Sequence, residues 1–202
     1  MKIFCIGRNY VDHVKELNNS LPSQPMVFMK PTSALLIKNR HFFLPEFSND
    51  IHYEGEIVLK IGKNGKHIQP EFALSYIEAI GYGIDFTARD IQQQCREKGH
   101  PWEIAKGFDH SAAISEFIPF ENFEPDNIQI KTVLNGETVQ NGNSKDMIFN
   151  FKEIIVHLSK YFTVQMGDYI YTGTPAGVGS VKIGDRIEGF INGEKMLKCD
   201  IM

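Results

Sequence analysis

The sequence predicts an α+β domain built mostly from twisted antiparallel sheet, with a minority of helices on the outside. Asn-Gly pairs, the strongest short-range hairpin signal, stand at Asn64-Gly65, Asn135-Gly136 and Asn192-Gly193 between β-rich runs. Helical periodicity is confined to Tyr10–Asn18, Glu71–Tyr76, Thr87–Lys98 and Met147–Tyr161. No Pro/Gly/Ser-rich linker or charge run divides the 202 residues, so residues 1–202 read as one domain able to bury its own core.

Taken in order, Met1-Lys2-Ile3-Phe4-Cys5 enters a strand without a signal-peptide apolar region. Gly7-Arg8-Asn9-Tyr10 then makes a tight polar turn that suits a mobile lid as well as a plain connection. The run Ile57–Ile61 is a strand, and Ile80–Ile84 is an apolar strand ending at Asp85. Asp85–Asp90 reads as a strand end passing into a helix, with Thr87 or Asp85 available to cap its amides. Ile148, Phe151, Ile155 and Leu158 repeat at helix spacing, and Tyr169-Ile170-Tyr171 is a strand feeding a Gly-rich loop. Trp102, the only tryptophan, reads as core.

Composition excludes several function classes. Lys plus Arg number 21 and Asp plus Glu 25, for a formal charge of -4, and no basic stripe is present to follow a phosphate backbone, so nucleic acid is not expected as a partner. No apolar run approaches the ~18 residues needed to cross a bilayer, so the cytoplasm is the default compartment and no membrane is expected. Cys5, Cys95 and Cys199 are far apart and lack CxxC spacing, which indicates buried thiols rather than disulfides or a thiolate zinc site.

The chemistry-bearing residues are mostly carboxylates. Glu54-Gly55-Glu56 opens a strand whose two-residue period puts both side chains on one face. Such a pair is more often a solvated face, but Asp85 at a neighbouring strand end would complete a hard-oxygen set suited to Mg²⁺ or Mn²⁺. His13 and Glu16 lie three apart on a helix and can form a base with its orienting carboxylate, although a solvated surface helix has the same pattern. Thr172-Gly173-Thr174-Pro175-Ala176-Gly177-Val178-Gly179 matches neither a P-loop nor GxGxxG. It is either a turn with unusual backbone angles or a set of amides and a Thr174 hydroxyl facing an anionic ligand. Lys30 and Lys106 each close an apolar stretch beside a turn former and, taken singly, read as surface lysines.

In order and spacing, Gly7-Arg8-Asn9-Tyr10 with His13 and Glu16, Phe28-Met29-Lys30-Pro31, Glu54-x-Glu56, Asp85-x-Thr87-Ala88-Arg89-Asp90 and Thr172–Gly179 resemble the fumarylacetoacetate hydrolase family. The similarity is to its short acylpyruvase type and covers nearly the whole chain. It implies a mixed β-sandwich roll, a homodimer, and a Mg²⁺ or Mn²⁺ ion on Glu54, Glu56 and Asp85. It further implies a catalytic dyad of His13 and Glu16 on a lid helix, with Lys106 holding an oxyanion or a carboxylate. Arg89, Gln92 and Thr174 would line the substrate pocket, with Arg8 and Lys30 as further pocket residues. Gly55 departs from relatives that carry a bulky residue there, which bears on local packing.

The activity so implied is acylpyruvate hydrolysis: a 2,4-dioxo acid is split into pyruvate and a carboxylate. Carbon-carbon cleavage beside a ketone leaves an enolate, which a chelating divalent ion would stabilise, while His13 would activate the water. The alternatives are oxaloacetate decarboxylation or tautomerisation, or isomerisation of a 2-oxo dioic acid, on the same metal site. A non-catalytic ligand-binding protein is a third reading, disfavoured by the retained carboxylates and the His-Glu pair.

Overall fold

The computed structural model describes residues 1–16, 20–37 and 39–202. In chain order the strands are β1 (Ile3–Gly7), β2 (Met26–Lys30), β3 (Leu35–Leu36), β4 (Ile51–Tyr53), β5 (Gly55–Ile61), β6 (Ile77–Asp85), β7 (Thr87–Ala88), β8 (Ala112–Ile114), β9 (Ile118–Pro119), β10 (Gln129–Leu134), β11 (Glu137–Asn143), β12 (Tyr169–Tyr171), β13 (Gly179–Ser180), β14 (Arg186–Ile191) and β15 (Glu194–Asp200). The α-helices are α1 (Val11–Glu16), α2 (Arg89–Lys98), α3 (Glu103–Lys106) and α4 (Phe151–Tyr161).

The largest sheet runs β2-β1-β12-β5-β6-β8-β3, with β9 added beside β6. It is mixed: β1 is parallel to β12 and β3 to β8, while β5, β6 and β12 pair antiparallel. Its central strands are buried on both faces, which is why Ile57-Val58-Leu59 and Ile3-Phe4-Cys5-Ile6 are continuous apolar runs rather than alternating ones. The second sheet, β11-β10-β14-β15, is made by two hairpins that pair through β10 and β14. Asn135-Gly136 and Asn192-Gly193 close them with both residues at positive φ, as two-residue turns of that hand require. Asn64-Gly65 does not close a hairpin. The link from β5 to β6 continues through a 3₁₀ helix at Pro70–Tyr76, and Gly65 instead bridges Val164.

The two sheets pack face to face around Tyr82, whose hydroxyl shares a 2.6 Å hydrogen bond with Thr132 of β10. Gly189 of β14 has no side chain because the Tyr82 ring occupies that space. Gly55 is explained by the same contact. A Cβ there would overlap the hydroxyls of Tyr82 and Thr132 and lie 3.0 Å from Gln140 Oε1. α4 covers the core with Phe151, Ile154, Ile155 and Leu158.

The helices differ from the sequence expectation mainly at their starts. α4 begins at Phe151 rather than Met147 because Asn150 and Glu153 form a reciprocal capping box, while Ile148 and Phe149 donate their amides to Asn9. α2 begins at Arg89, since Thr87 and Ala88 pair as β7 with β4. Neither Thr87 nor Asp85 caps it; Asp90 accepts the Ile91 amide instead. Of the expected helix Tyr10–Asn18, Val11–Glu16 is helical, and residues 17 and 18 lie outside the described residues. The three cysteines are buried and free, as expected. No helix among the described residues is long and apolar enough to cross a membrane.

Gly55→Ala should destabilise the fold by about 2 kcal/mol through overpacking, measured by urea unfolding. Tyr82→Phe in that background should recover part of the loss, whereas strictly additive costs would show that the two positions do not compete for the same space.

Candidate active site

The site begins with strand register. Gly55 lies opposite Ile84 across β5 and β6, which puts Glu54 opposite Asp85, and the Asp85 amide donates to the Glu54 carbonyl at 2.8 Å. The period of two returns Glu56 to the same face. One ligand atom from each of Glu54, Glu56 and Asp85 lies within 4.8 Å of the others, and all three residues are buried.

Three buried anions at that spacing repel, and three cations offset them. Lys106 Nζ donates to Glu54 Oε2 at 2.8 Å, Asp85 Oδ2 at 2.8 Å and Thr87 Oγ1 at 2.6 Å. Lys30 Nζ lies 2.7 Å from Asp85 Oδ1, in ion-pair contact without hydrogen-bond alignment. Arg89 donates to Glu54 Oε1 at 2.5 Å and to Gln92 Oε1 at 2.7 Å. Burial opposes the Glu54 charge, yet Lys106, Arg89 and His13 hold its carboxyl well below the usual range. Burial likewise opposes the Lys106 charge, and Asp85 and Glu54 more than restore it. Glu56 has no lysine or arginine within salt-bridge distance among the described residues. Burial, then Asp85 and Glu54, push its carboxyl well above its ordinary value, against the Gly173 amide at 2.7 Å. The donor set is therefore all hard oxygen and short of positive charge at Glu56, and it fits a divalent cation such as Mg²⁺ or Mn²⁺.

A narrow, solvent-open cleft lies over the carboxylates. Arg8, His13, Arg89, Gln92, Lys106 and Thr174 line it together with the three acids. His13 is only 4% exposed, and its Nδ1 pairs with Glu16 Oε2 at 3.1 Å. Glu16 Oε1 also accepts the Gly177 amide at 3.0 Å, which ties α1 to the Gly-rich loop.

Three residues take places other than those the sequence suggested. Lys30 is wholly buried behind Asp85 rather than lining the cleft, where it donates to the carbonyls of Phe86, Lys106 and Ser111. Neither lysine is on the surface. Thr174 lines the cleft, but its hydroxyl donates to the Gly55 carbonyl at 2.9 Å and accepts from Gln140 Nε2 at 2.8 Å. The anions its loop faces are the chain's own: Glu56 at Gly173 and Glu16 at Gly177. Trp102 stands half-buried in the cleft wall, edge-on to Phe28 at 5.9 Å, rather than in the core.

Sequence reasoning missed Asn9, Gln140, α3 and the outer cleft residue Arg96. Asn9 is fully buried and joins three segments: its Nδ2 donates to the carbonyls of Phe149 and Thr172, and its Oδ1 accepts the Phe149 amide. Its signal was its place in the Gly-Arg-Asn-Tyr turn. Arg96 was legible as the next turn of the α2 face that carries Arg89 and Gln92.

A model of the fumarylacetoacetate hydrolase C-terminal domain matches residues 2–201. A Bos taurus protein named oxaloacetate tautomerase FAHD1, mitochondrial, is 39% identical over 200 residues, which cover 98% of this chain and 90% of the relative. The structure of fumarylpyruvate hydrolase from Pseudomonas aeruginosa in complex with Mn²⁺ and pyruvate superposes with a TM-score of 0.96 at 34% identity, covering 100% of this chain and 89% of that one. A 2-hydroxyhepta-2,4-diene-1,7-dioate isomerase from Mycobacterium marinum gives 0.87 at 30% identity, covering 100% and 74%. The sheet arrangement is thus that of these enzymes, and the chain belongs to the fumarylacetoacetate hydrolase family.

Proposed function

We propose that the protein is a divalent-metal-dependent hydrolase that splits acylpyruvates into pyruvate and a carboxylate. The observation that carries this reading is that His13, held by Glu16, lines the same cleft as the buried carboxylates Glu54, Glu56 and Asp85. A Mg²⁺ or Mn²⁺ ion on those carboxylates would supply Lewis acidity to the 2-oxo acid head. The protein supplies the rest. Glu16 favours the His13 tautomer protonated on Nδ1, which leaves Nε2 to take a proton from water. That water adds to the distal carbonyl carbon, the bond to the neighbouring carbon breaks, and its electron pair passes into the enolate of pyruvate, which is then reprotonated. Lys106 can turn an N–H donor from Glu54 or Asp85 to a substrate carboxylate, Arg89 and Gln92 fix one wall, and Lys30 positions Asp85 from behind.

A second reading is tautomerisation or decarboxylation of oxaloacetate, which needs the same head-group site but no nucleophilic water. It is favoured by the 38–40% identity to proteins named oxaloacetate tautomerase. Isomerisation of a longer 2-oxo dioic acid is a variant of it, supported by the Mycobacterium marinum neighbour. The same family likeness supports a homodimer, with a sedimenting mass of twice 23.0 kDa expected at micromolar concentration; a monomer there would refute it. A cytoplasmic location is part of the proposal, although the animal and plant relatives are named mitochondrial.

Two outcomes test the chemistry. His13→Ala should cut acetylpyruvate hydrolysis by roughly 10²–10⁴-fold while sparing more of the metal-dependent oxaloacetate turnover. Equal losses would count against a distinct base role and favour the second reading. Glu56→Gln should weaken Mg²⁺ or Mn²⁺ binding by roughly a hundredfold in calorimetry. Because the Glu56 carboxyl is raised, its proton competes with the metal, so wild-type affinity should climb with pH until that proton is lost. Unchanged affinity in Glu56→Gln would remove the metal site from the account.

A further inference from the structure

Arg89 holds Glu54, and only two of its three nitrogens account for how it is itself held. Nη2 donates to Glu54 and Nη1 to Gln92, which leaves Nε–H buried and without a hydrogen-bond partner among the described residues. An unpaired buried donor on a charged group costs free energy, so such an atom in a native fold points to a partner. Nδ1 of His52 is likewise buried and unpaired among the described residues.

Strand register makes these two side chains neighbours. β4 pairs antiparallel with β7, His52 opposite Thr87 and Ile51 opposite Ala88. The next step puts Arg89 opposite Asp50, and the Arg89 amide donates to the Asp50 carbonyl at 2.8 Å. His52 and Arg89 are therefore diagonal across the ladder, a separation that a long side chain spans. Asp50 also fixes the ring: its Oδ1 lies 2.9 Å from His52 Nε2, which places the proton there and leaves Nδ1 as an acceptor. Burial and then the Arg89 charge disfavour the imidazolium, against Asp50, so the ring is neutral and Nδ1 keeps its lone pair. A buried acceptor and a buried donor thus stand on neighbouring side chains, each lacking what the other has.

We propose that His52 is a positioning residue: its Nδ1 accepts the Nε–H of Arg89, so that Asp50 and His52 together fix the guanidinium that holds Glu54. One bridging water would serve the same two atoms. With all three nitrogens engaged, Arg89 is kept from swinging away from Glu54 Oε1, and the orientation of that carboxylate is set. Neither Asp50 nor His52 lines the cleft, so the support comes from behind it. Its consequence for metal binding rests on the reading that Glu54, Glu56 and Asp85 take a divalent cation; partners behind a ligating group contribute roughly 10–100-fold in affinity.

Two variants separate the acceptor from the ring. His52→Asn keeps an acceptor oxygen near the position of Nδ1, whereas His52→Leu is of similar size and has none. In ¹⁵N-labelled, metal-free protein the Arg89 Nε–H resonance is identified by its loss in Arg89→Lys. Its solvent exchange should speed up about tenfold or more in His52→Leu, the size of a hydrogen bond to a charged group, and stay near wild type in His52→Asn. Exchange unchanged in His52→Leu, or accelerated alike in both variants, would overturn the contact. A wild-type spectrum with the His52 proton on Nδ1 rather than Nε2 would overturn it without any variant. By calorimetry, Mg²⁺ affinity should fall roughly tenfold in His52→Leu, hold in His52→Asn, and fall no further when His52→Leu is added to Arg89→Lys. Unchanged affinity in His52→Leu, or a loss that persists in the Arg89→Lys background, would overturn a role through Arg89. Failure of the metal reading shows differently: wild type would not bind Mg²⁺ at all, while the exchange rates would still decide the contact.

Discussion

Burial of three carboxylates within 4.8 Å of one another is the constraint on which this molecule turns. Anions removed from water at that spacing are tolerated only with close counter-charges, and the fold brings these from three separate elements. Lys30 ends β2, Arg89 opens α2 and Lys106 ends α3, while the acids come from the β4–β5 junction, β5 and the end of β6. A shift in any one of these elements would leave a buried charge unpaired. The counter-charges reach Glu54 and Asp85 but leave Glu56 with a backbone amide as its direct donor. The polar core therefore specifies the fold and keeps a local electrostatic deficit that a divalent cation would relieve.

The loops round the cleft are tied by the same economy of charge. Gly173 and Gly177 direct amides at Glu56 and Glu16, so one Gly-rich segment orients a metal-site carboxylate and the partner of His13. Both glycines have positive φ and sit where a Cβ would strike neighbouring atoms, Asn9 for Gly173 and the Val139 carbonyl for Gly177. Asn9 joins that segment, at Thr172, to the approach to α4 and fixes the turn that presents Arg8. The turn after β1 is thus clamped at its centre, and whatever mobility α1 has must arise beyond it.

Much of this was legible in residue types and spacing. The two Asn-Gly hairpins of the second sheet follow from local chemistry, since both turn residues must adopt positive φ. The Glu-x-Glu pair and Asp85 were found because a strand period and a strand end place them on one face. Asn64-Gly65 misled because nothing local distinguishes a hairpin from a turn that leads into a 3₁₀ helix. The fates of Lys30, Thr174 and Trp102 were illegible for another reason. Each depends on a partner far away in sequence: Asp85 for Lys30, Gln140 for Thr174, and Phe28 for Trp102. Gly55 has the same origin, being set by Tyr82 and Thr132 across the sheet interface.

The central claim is that Glu54, Glu56 and Asp85 are one metal site whose charge is balanced for a cation in addition to Lys106. The most direct measurement is anomalous diffraction from crystals grown with Mn²⁺ and pyruvate. The account predicts a single strong peak in contact with oxygens of all three residues, with Lys106 Nζ withdrawn from at least one of Glu54 and Asp85. Lys106 still bridging both carboxylates, with no manganese between them, would contradict it.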